Sequence, residues 1–243
     1  MQKELLIIIP VLNEVDNIIP IINQIFKCLV NKKKHILFID DNSTDGTRKK
    51  IYSVQQKFGQ IFLIKRNKKL GVGSAHKMGL NWGFKRKYKK IITMDCDGTH
   101  NPIYINKLLT KLNKKNCQIV LINRFLNKNS LSDWTIWRKL LTLFRHILIQ
   151  FFLDIKYDSS GAFRGYLVDS IRIKDIFLAK NNGYSFFWES TFILSKKYKI
   201  KDIPVKLPGR LAGVSKMNFN DIFFGLSYLI KIVWTYRFNK KIK

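Results

Sequence analysis

Short apolar runs rich in Ile, Leu and Val alternate with segments of helical period through the first half of the chain. This alternation predicts a mostly parallel sheet covered by helices on both faces, which is an α/β fold. The predicted strands are Leu5–Ile9, His35–Ile39, Ile61–Lys65, Ile91–Met94 and Gln118–Ile122. The predicted helices lie near Val15–Val30, Arg48–Lys57, Ser74–Tyr88 and Ile103–Leu112.

The second half has a different pattern. We expect a long apolar helix, a loop, two short helices and a strand, at Trp134–Leu153, Tyr157–Gly165, Asp169–Ala179, Phe187–Tyr198 and Ile200–Val205.

The last apolar segment, Ile222–Phe238, carries Lys231 near its middle and is followed by a basic tail. A cation at the bilayer centre costs a few kcal/mol. Neither this segment nor Trp134–Leu153 offers the roughly 18 uncharged apolar residues of a clean spanning helix. We expect both to be amphipathic helices at a membrane interface, the alternative being that they pack as core helices.

Composition narrows the class of protein. The chain has 243 residues, 46% of them hydrophobic and 25% charged, which is typical of a folded globular protein. Its net charge of +29 indicates a polyanionic partner such as an anionic membrane surface, a phosphate-bearing substrate or nucleic acid, although AT-rich codons also favour Lys, Asn and Ile. Its three cysteines form no disulfide or zinc spacing, which favours a reducing compartment.

Polar residues follow the predicted strands, where ligands bind in such sheets. The strongest motif is Asp95-Cys96-Asp97-Gly98 after the strand at Ile91–Met94. In an extended backbone, Asp95 and Asp97 share one side and Cys96 points away. Two such carboxylates suit one hard divalent cation that keeps positions open for substrate phosphates. The alternative is that the two acids merely begin a loop.

Two further motifs suggest a nucleotide pocket. Asp40 and Asp41 follow a strand and are able to accept hydrogen bonds from a base or a ribose, while Asp45 is placed to cap the next helix. Gly71-Val72-Gly73 begins a helix, where backbone N–H groups bind phosphate in some proteins, although a structural turn explains it equally well.

Arginines stand out against a lysine-rich background at Arg124, Arg138, Arg164 and Arg210. Arg makes bidentate contacts to phosphate, so these residues are candidates for a phosphate site, and a solvated surface position is the alternative. Of the histidines, His100 alone lies beside the acidic motif.

In this order the motifs resemble the inverting family 2 glycosyltransferases, and more narrowly the polyprenol phosphate mannosyltransferase group. The resemblance spans roughly residues 5 to 217. It is carried by Pro10-Val11-Leu12-Asn13-Glu14, Asp40 to Thr47, Lys69 to Ala75, Asp95 to His100, Asn123-Arg124, Trp134 with Arg138, Asp158 to Gly161, Gly183-Tyr184 with Glu189, and Pro208-Gly209-Arg210 with Ser215-Lys216.

The resemblance implies a GT-A fold over residues 1–217, with a nucleotide-sugar half at 1–123 and an acceptor half at 124–217, followed by a basic helix and tail at 218–243. It also implies roles for individual residues. Nucleotide-sugar binding falls to Pro10, Asn13, Glu14, Asp41, Asp95, Cys96, Arg210 and Lys216. Mg²⁺ or Mn²⁺ binding falls to Asp95, Asp97 and Thr99, where Thr99 stands in place of a frequent Gln. Acceptor-phosphate binding falls to Arg124, Arg138 and Thr142, and catalysis to Asp97, Arg124 and Arg210.

The expected reaction is inverting transfer of a sugar, mannose from GDP-mannose in the narrower group, to a polyprenyl phosphate. We expect a peripheral protein on the cytoplasmic side of a membrane and no nucleic-acid partner. Two alternatives within the same class remain: another donor such as UDP-glucose or UDP-GlcNAc, or a saccharide hydroxyl acceptor. A more remote alternative is a basic nucleic-acid-binding protein. A hydroxyl acceptor needs a carboxylate base, for which Glu189 is the candidate.

Overall fold

A seven-stranded sheet forms the centre of the protein in a computed structural model that describes residues 3–209 and 219–238. The strand order is β3-β2-β1-β4-β6-β5-β7, and β6 alone runs antiparallel to its neighbours. The strands are β1 Leu5–Val11, β2 Lys34–Asp40, β3 Ile61–Lys65, β4 Lys90–Thr93, β5 Ile119–Asn123, β6 Arg164–Leu167 and β7 Ile200–Pro204. The expected mostly parallel α/β sheet is therefore confirmed.

Helices cover both faces of the sheet. They are α1 Ile18–Cys28, α2 Thr47–Gln55, α3 Val72–Lys85, α4 Ile103–Leu112, α5 Ile136–Leu153, α6 Ile173–Ile176, α7 Ser185–Ser195 and α8 Phe219–Phe238, with single 3₁₀ turns at Val15–Asn17 and Val168–Ser170. All the helices expected in the first half are present, with ends shifted by a few residues. The segment expected as a helix at Asp169–Ala179 is instead a 3₁₀ turn followed by the short α6.

The loop prediction at Tyr157–Gly165 was wrong at its end, because β6 begins at Arg164. This strand has only four residues and includes a charged residue and a glycine, so it lacks the apolar run that marked the others. Gly165 is closely packed. A Cβ there would lie 2.9 Å from Leu112 Cδ1 and 3.1 Å from Ile92 Cδ1, so a larger residue would require the ends of these two side chains to shift.

Alternation along the strands divides the core into two layers. On one face Ile7, Phe38 and Val120 pack with α1 and α4, and on the other Leu6, Leu37 and Ile91 pack with α3 and α7. Leu229 and Ile232 attach α8 to the second layer. The core thus fixes all the parallel strands with their carboxyl ends along one edge.

A buried histidine lies in the second layer. His76 of α3 is 1% exposed, packs its ring against Phe187, and leaves Nε2 without a hydrogen-bond partner among the described residues. Burial, with smaller contributions from Arg164 and His100, lowers the pKa of His76 to about 3.

This lowered pKa makes folding sensitive to acid. Between about pH 3 and pH 6.5 the unfolded state binds a proton that folded His76 does not, so we expect the free energy of unfolding to rise with pH by up to about 1.4 kcal/mol per unit. In His76→Leu that contribution disappears. Urea unfolding at pH 4.5, 5.5 and 6.5 measures it, and equal slopes in the two proteins would contradict the expectation.

Candidate active site

The loops that follow β1, β2, β3 and β4 begin side by side at the carboxyl edge of the sheet. The ladder continues past the strands: Asp41 N–H donates to Val11 O at 2.9 Å, and Met94 N–H donates to Ile8 O at 3.0 Å. Motifs far apart in the sequence are thereby brought to one edge, as expected for ligand sites in parallel sheets.

The β1 loop is bound to the β2 loop. Asn13 has a positive φ of 53°, a conformation that Asn tolerates better than most residues, and its Oδ1 accepts the Thr44 N–H at 2.8 Å. Glu14 is buried, donates its N–H to Thr47 Oγ1 at 2.9 Å and accepts Asn17 Nδ2 at 2.6 Å. Pro10 is partly buried beside Ile39 of β2. These residues, which the resemblance assigns to nucleotide-sugar binding, therefore lie together at the carboxyl edge of the sheet.

Asp40 and Asp41 are both buried and have different partners. Asp40 accepts the Ser43 N–H and forms an ion pair with Arg48. Asp41 accepts the Leu70 N–H at 2.8 Å and the Gly71 N–H at 3.0 Å, and lies 3.2 Å from Arg66 Nη1. A carboxylate accepts about four hydrogen bonds in all, and Asp41 already has two amides and Arg66 as partners. Its expected contact with the nucleotide therefore stays a prediction.

Asp45 accepts the N–H of Thr47, the first residue of α2, at 2.9 Å. The N-cap position itself is Gly46, so the expected capping acid lies one residue before the cap.

The glycine segment before α3 is a structural turn. Gly71 has a φ of 92°, its N–H is taken by Asp41, and Ser74 N–H donates to Asn182 O at 3.0 Å. Arg66 also bonds to Gly71 O and Ser74 Oγ. We define residues 66–74, which comprise the connection after β3 and the first three residues of α3, as the glycine loop. Because the amides of Leu70, Gly71 and Ser74 are used within the protein, a structural turn is favoured over a phosphate site.

The acidic motif follows β4, although the strand ends at Thr93, two residues before Asp95. The side chain of Cys96 is buried in the core, so contact with a donor by this residue would use its backbone. Asp97 is 5% exposed and the Asp95 side chain 39%. Thr99 donates its hydroxyl and its N–H to Asp97 Oδ1, at 2.6 and 3.1 Å.

His100 supports this motif from beneath. Its Nδ1 accepts the Asp95 N–H at 2.9 Å, so its proton is on Nε2, and it lies 3.5 Å from Asp95 Oδ2. The ring packs on Phe163 with centroids 5.2 Å apart. His100 thus holds the backbone of Asp95.

Metal binding needs a substrate to complete the coordination. Within residues 3–209 and 219–238, no three His, Cys, Asp or Glu side chains form a ready-made metal cluster. The donors around Asp97 are carboxylate and hydroxyl oxygens, which suit Mg²⁺ or Mn²⁺ when phosphate oxygens supply the remaining positions. The residue types therefore fit a hard divalent cation.

Arg124 follows β5 at the same edge and is the start of a basic region. It is 7% exposed, and its Nε lies 2.5 Å from Asp158 Oδ2. Burial raises the pKa of Asp158, but the charge and hydrogen bonds of Arg124 outweigh burial and hold that pKa below its usual value. The ion pair fixes the guanidinium in place.

Helix α5 supplies the other expected acceptor residues. Arg138 is exposed, with its guanidinium 3.6 Å from the Trp134 ring centroid, and Thr142 is buried. Arg145, one turn beyond Thr142 on the same face, was missed in the sequence. Burial, and then the nearby charge of Arg124, lower the pKa of Arg145 to about 10, while Asp158 opposes the shift. Its spacing of three residues from Thr142 on the predicted helix was the sequence signal that could have placed it in the acceptor site.

Arg164, a candidate phosphate ligand, is structural. It is fully buried, and it donates to Gly161 O, Ser159 O, Phe187 O and Ser190 Oγ at 2.7–3.0 Å. Arg210 and Lys216 lie outside the described residues, and their expected roles stay predictions.

Glu189 and Tyr228 were not foreseen as partners. Glu189 is 1% exposed in α7, and its Oε1 accepts the Tyr228 hydroxyl of α8 at 2.9 Å. Burial, and then Glu189, raise the pKa of Tyr228.

Two named proteins are similar in sequence to this chain over most of its length. Polyprenol monophosphomannose synthase of Mycolicibacterium smegmatis is 27% identical over 221 residues, covering 89% of this chain and 82% of the relative. Undecaprenyl-phosphate mannosyltransferase of Micrococcus luteus is 26% identical over 215 residues, covering 88% of this chain and 87% of the relative.

Solved structures share the fold. Glucosyl-3-phosphoglycerate synthase of Mycobacterium tuberculosis, in complex with phosphoglyceric acid, superposes with a TM-score of 0.64 at 14% identity and covers 96% of this chain and 79% of that one. The same enzyme with Mn²⁺, uridine diphosphate and glucosyl-3-phosphoglycerate gives 0.62 at 16% identity. The sheet therefore has the GT-A-like architecture that the motifs implied.

The profile of glycosyl transferase family 2 matches residues 6–174, which is more than half of the chain and contains both acidic motifs. The chain belongs to glycosyl transferase family 2 and is a glycosyltransferase.

Proposed function

We propose that this glycosyltransferase transfers mannose from GDP-mannose to a polyprenyl phosphate, with inversion and with Mg²⁺ or Mn²⁺, at the cytoplasmic face of a membrane. The observation that carries the proposal is the pairing of an acidic edge, at Asp41, Asp95 and Asp97, with a basic region that begins at Arg124 on the same side of the sheet. The two relatives named above are described as enzymes of polyprenyl phosphates and mannose.

The acidic edge suits a nucleotide sugar. Asp95 and Asp97, with the Thr99 hydroxyl beside Asp97, are the residues that would hold the cation with the diphosphate. When bound, the cation neutralises charge on the departing nucleoside diphosphate. Asp41, Glu14 and Asn13 would bind the nucleoside, and Arg210 and Lys216 would close over the diphosphate.

The basic region suits an acceptor that is already charged. A phosphate monoester has a second pKa of about 6 and is largely dianionic near neutral pH, so its oxygen attacks the anomeric carbon without losing a proton to the protein. Arg124, Arg138 and Thr142 would hold this phosphate, on the side of the sugar opposite the leaving group. Inversion at the anomeric carbon follows from that geometry.

Glu189 bears on the choice of acceptor. A hydroxyl acceptor needs a base with a free oxygen within hydrogen-bond reach. Glu189 is 1% exposed and uses three of its roughly four acceptor positions within the protein. Oε1 accepts the Lys180 N–H at 3.0 Å and the Tyr228 hydroxyl, and Oε2 accepts the Asn181 N–H at 2.9 Å. This arrangement favours the phosphate acceptor over the saccharide hydroxyl.

Helices α5 and α8 supply a surface for lipid. None of the described helices is long and apolar enough to cross a membrane. Yet both helices expose large apolar side chains, among them Trp137, Phe144, Phe151, Phe223 and Trp234, at 59–80% of their full accessibility. Exposed apolar patches of this kind mark interaction sites, and the basic surface around them is attracted to anionic headgroups.

Lipid-linked product is the direct test of the reaction. Membranes carrying the protein are incubated with radiolabelled GDP-mannose, UDP-glucose and UDP-GlcNAc in turn, with and without Mn²⁺. We expect organic-phase label from GDP-mannose and Mn²⁺, a loss of about 100-fold or more in Asp97→Asn, and little change in the surface variant Asp133→Asn. Label from a UDP-sugar instead would identify that sugar nucleotide as the donor in place of GDP-mannose. Label from none of the three would contradict a lipid phosphate as the acceptor.

Arg138 provides a test of the acceptor site. Because hydrogen bonds to charged groups contribute about 1.5–3 kcal/mol, we expect Arg138→Gln to raise the KM for polyprenyl phosphate by roughly 10–100-fold. The donor KM should stay within about 2-fold in the same steady-state assay. Lys139→Gln removes the same charge from the same helix and is the control. Equal effects of the two variants would mean that Arg138 acts only through its contribution to the surface charge.

Vesicle binding tests the membrane surface. We expect the protein to co-sediment with vesicles containing anionic lipid, and Trp137→Ser with Trp234→Ser to reduce that binding about 10-fold or more, because each buried aromatic ring contributes on the order of 2 kcal/mol. Val30→Ser changes an equally exposed apolar residue elsewhere and is the control. Unchanged binding in the double variant would exclude α5 and α8 as the lipid surface.

A further inference from the structure

Glu189 occupies a place between the C-terminal helix and the donor side of the sheet. Besides the Tyr228 hydroxyl of α8, its oxygens accept the backbone N–H groups of Lys180 and Asn181. One buried carboxylate of α7 therefore holds two elements in place: the start of the segment 180–183, and helix α8.

The segment 180–183 lies directly on the glycine loop. Asn182 O accepts the Ser74 N–H at 3.0 Å. A Cβ on Gly71 would lie 2.5 Å from Asn182 O, and a Cβ on Gly73 would lie 2.7 Å from Gly183 O. A Cβ on Gly73 would also lie 2.5 Å from Phe186 Cβ. Because segment 180–183 packs directly on the backbone of the glycine loop, we expect a shift of that segment to move the loop with it.

The glycine loop in turn holds Asp41. Both oxygens of Asp41 accept amides from this loop, at Leu70 and Gly71, and Arg66 bridges Asp41 to Gly71 O and Ser74 Oγ. A continuous series of hydrogen bonds and backbone contacts thus runs from Tyr228 through Glu189 to the buried acid of the donor pocket.

We propose that Glu189 is a positioning residue for the nucleoside diphosphate pocket and that Tyr228 links α8 to that pocket. The inference rests on the proposed function, in which Asp41 contacts the nucleoside. It assigns to the last helix, beyond the residues matched by the family, a part in donor binding. Glu189 acts through the loop and touches neither the sugar nor the acceptor.

Two variants remove parts of this connection. Tyr228→Phe deletes one hydrogen bond to Glu189 and leaves the ring in place, and Glu189→Gln converts one accepting oxygen to a donor that faces a backbone N–H. Tyr236→Phe is the matched control. It lies on the same helix and packs edge-on against Phe192 with centroids 4.9 Å apart. Burial, and then the charge of Glu189, raise the pKa of Tyr236, but no hydrogen bond joins its hydroxyl to Glu189 within the described chain, so this variant separates proximity from hydrogen bonding.

Calorimetric titration of the intact protein with GDP and with UDP, each with Mn²⁺, measures donor affinity directly. We expect weaker binding of the preferred diphosphate by about 3–10-fold in Tyr228→Phe and by more in Glu189→Gln, with Tyr236→Phe unchanged. In the transfer assay the donor KM should rise by the same factor, while kcat and acceptor KM stay within about 2-fold. Tyr228→Phe carries the test if Glu189→Gln does not fold.

Two results would overturn the inference, and a third would overturn the proposed function on which it rests. A fall in kcat of about 100-fold or more in Glu189→Gln, with donor affinity unchanged, would identify a catalytic base. Unchanged diphosphate affinity in both variants with a lower melting temperature would leave Glu189 a purely structural role. If the unaltered protein binds neither diphosphate, the proposed function itself fails, and that result is distinguishable because it appears before any substitution is made.

Discussion

The two halves of the site depend on one buried guanidinium. Arg164 lies in the antiparallel strand β6 and makes four hydrogen bonds, all to neutral oxygens of the segment 159–161 and of α7. Segment 159–161 adjoins Asp158, which fixes Arg124, and α7 carries Glu189. Because a hydrogen bond to a charged group contributes about 1.5–3 kcal/mol, this arrangement resists local change. The segment beside Asp158 and the helix that carries Glu189 are therefore both held by the same guanidinium.

Charge is separated along the edge of the sheet in a way that suits transfer between two phosphates. Acids follow β1, β2 and β4, and the guanidinium of Arg124 follows β5, with β6 inserted between β4 and β5. In the proposed function, the carboxylates would hold a cation together with the donor diphosphate, and the arginines would hold an anionic acceptor. The two phosphate groups would then have separate sets of protein ligands.

Much of the fold could be predicted because most strands are continuous apolar runs with helical periods between them. The antiparallel β6 could not, since its pairing depends on neighbours that are distant in the sequence and its four residues carry no apolar run. In the site, Asp95 and Asp97 were visible as a motif after a strand. Arg66 directly follows the predicted strand Ile61–Lys65, but nothing in the sequence pairs it with Asp41. Glu189 was interpreted as a candidate base, because its backbone partners at residues 180 and 181 carry no side-chain signal.

The apolar rows on α5 and α8 also affect the protein before it meets a lipid bilayer. Aromatic rings such as Trp137 and Phe151, at 74% and 80% exposure, remain in water in the folded chain. Folding alone therefore leaves an exposed apolar surface on a protein with a net charge of +29. Mutual repulsion between such highly charged molecules opposes self-association and weakens as ionic strength rises. We therefore expect self-association of the purified protein through these rings to increase as the salt concentration rises.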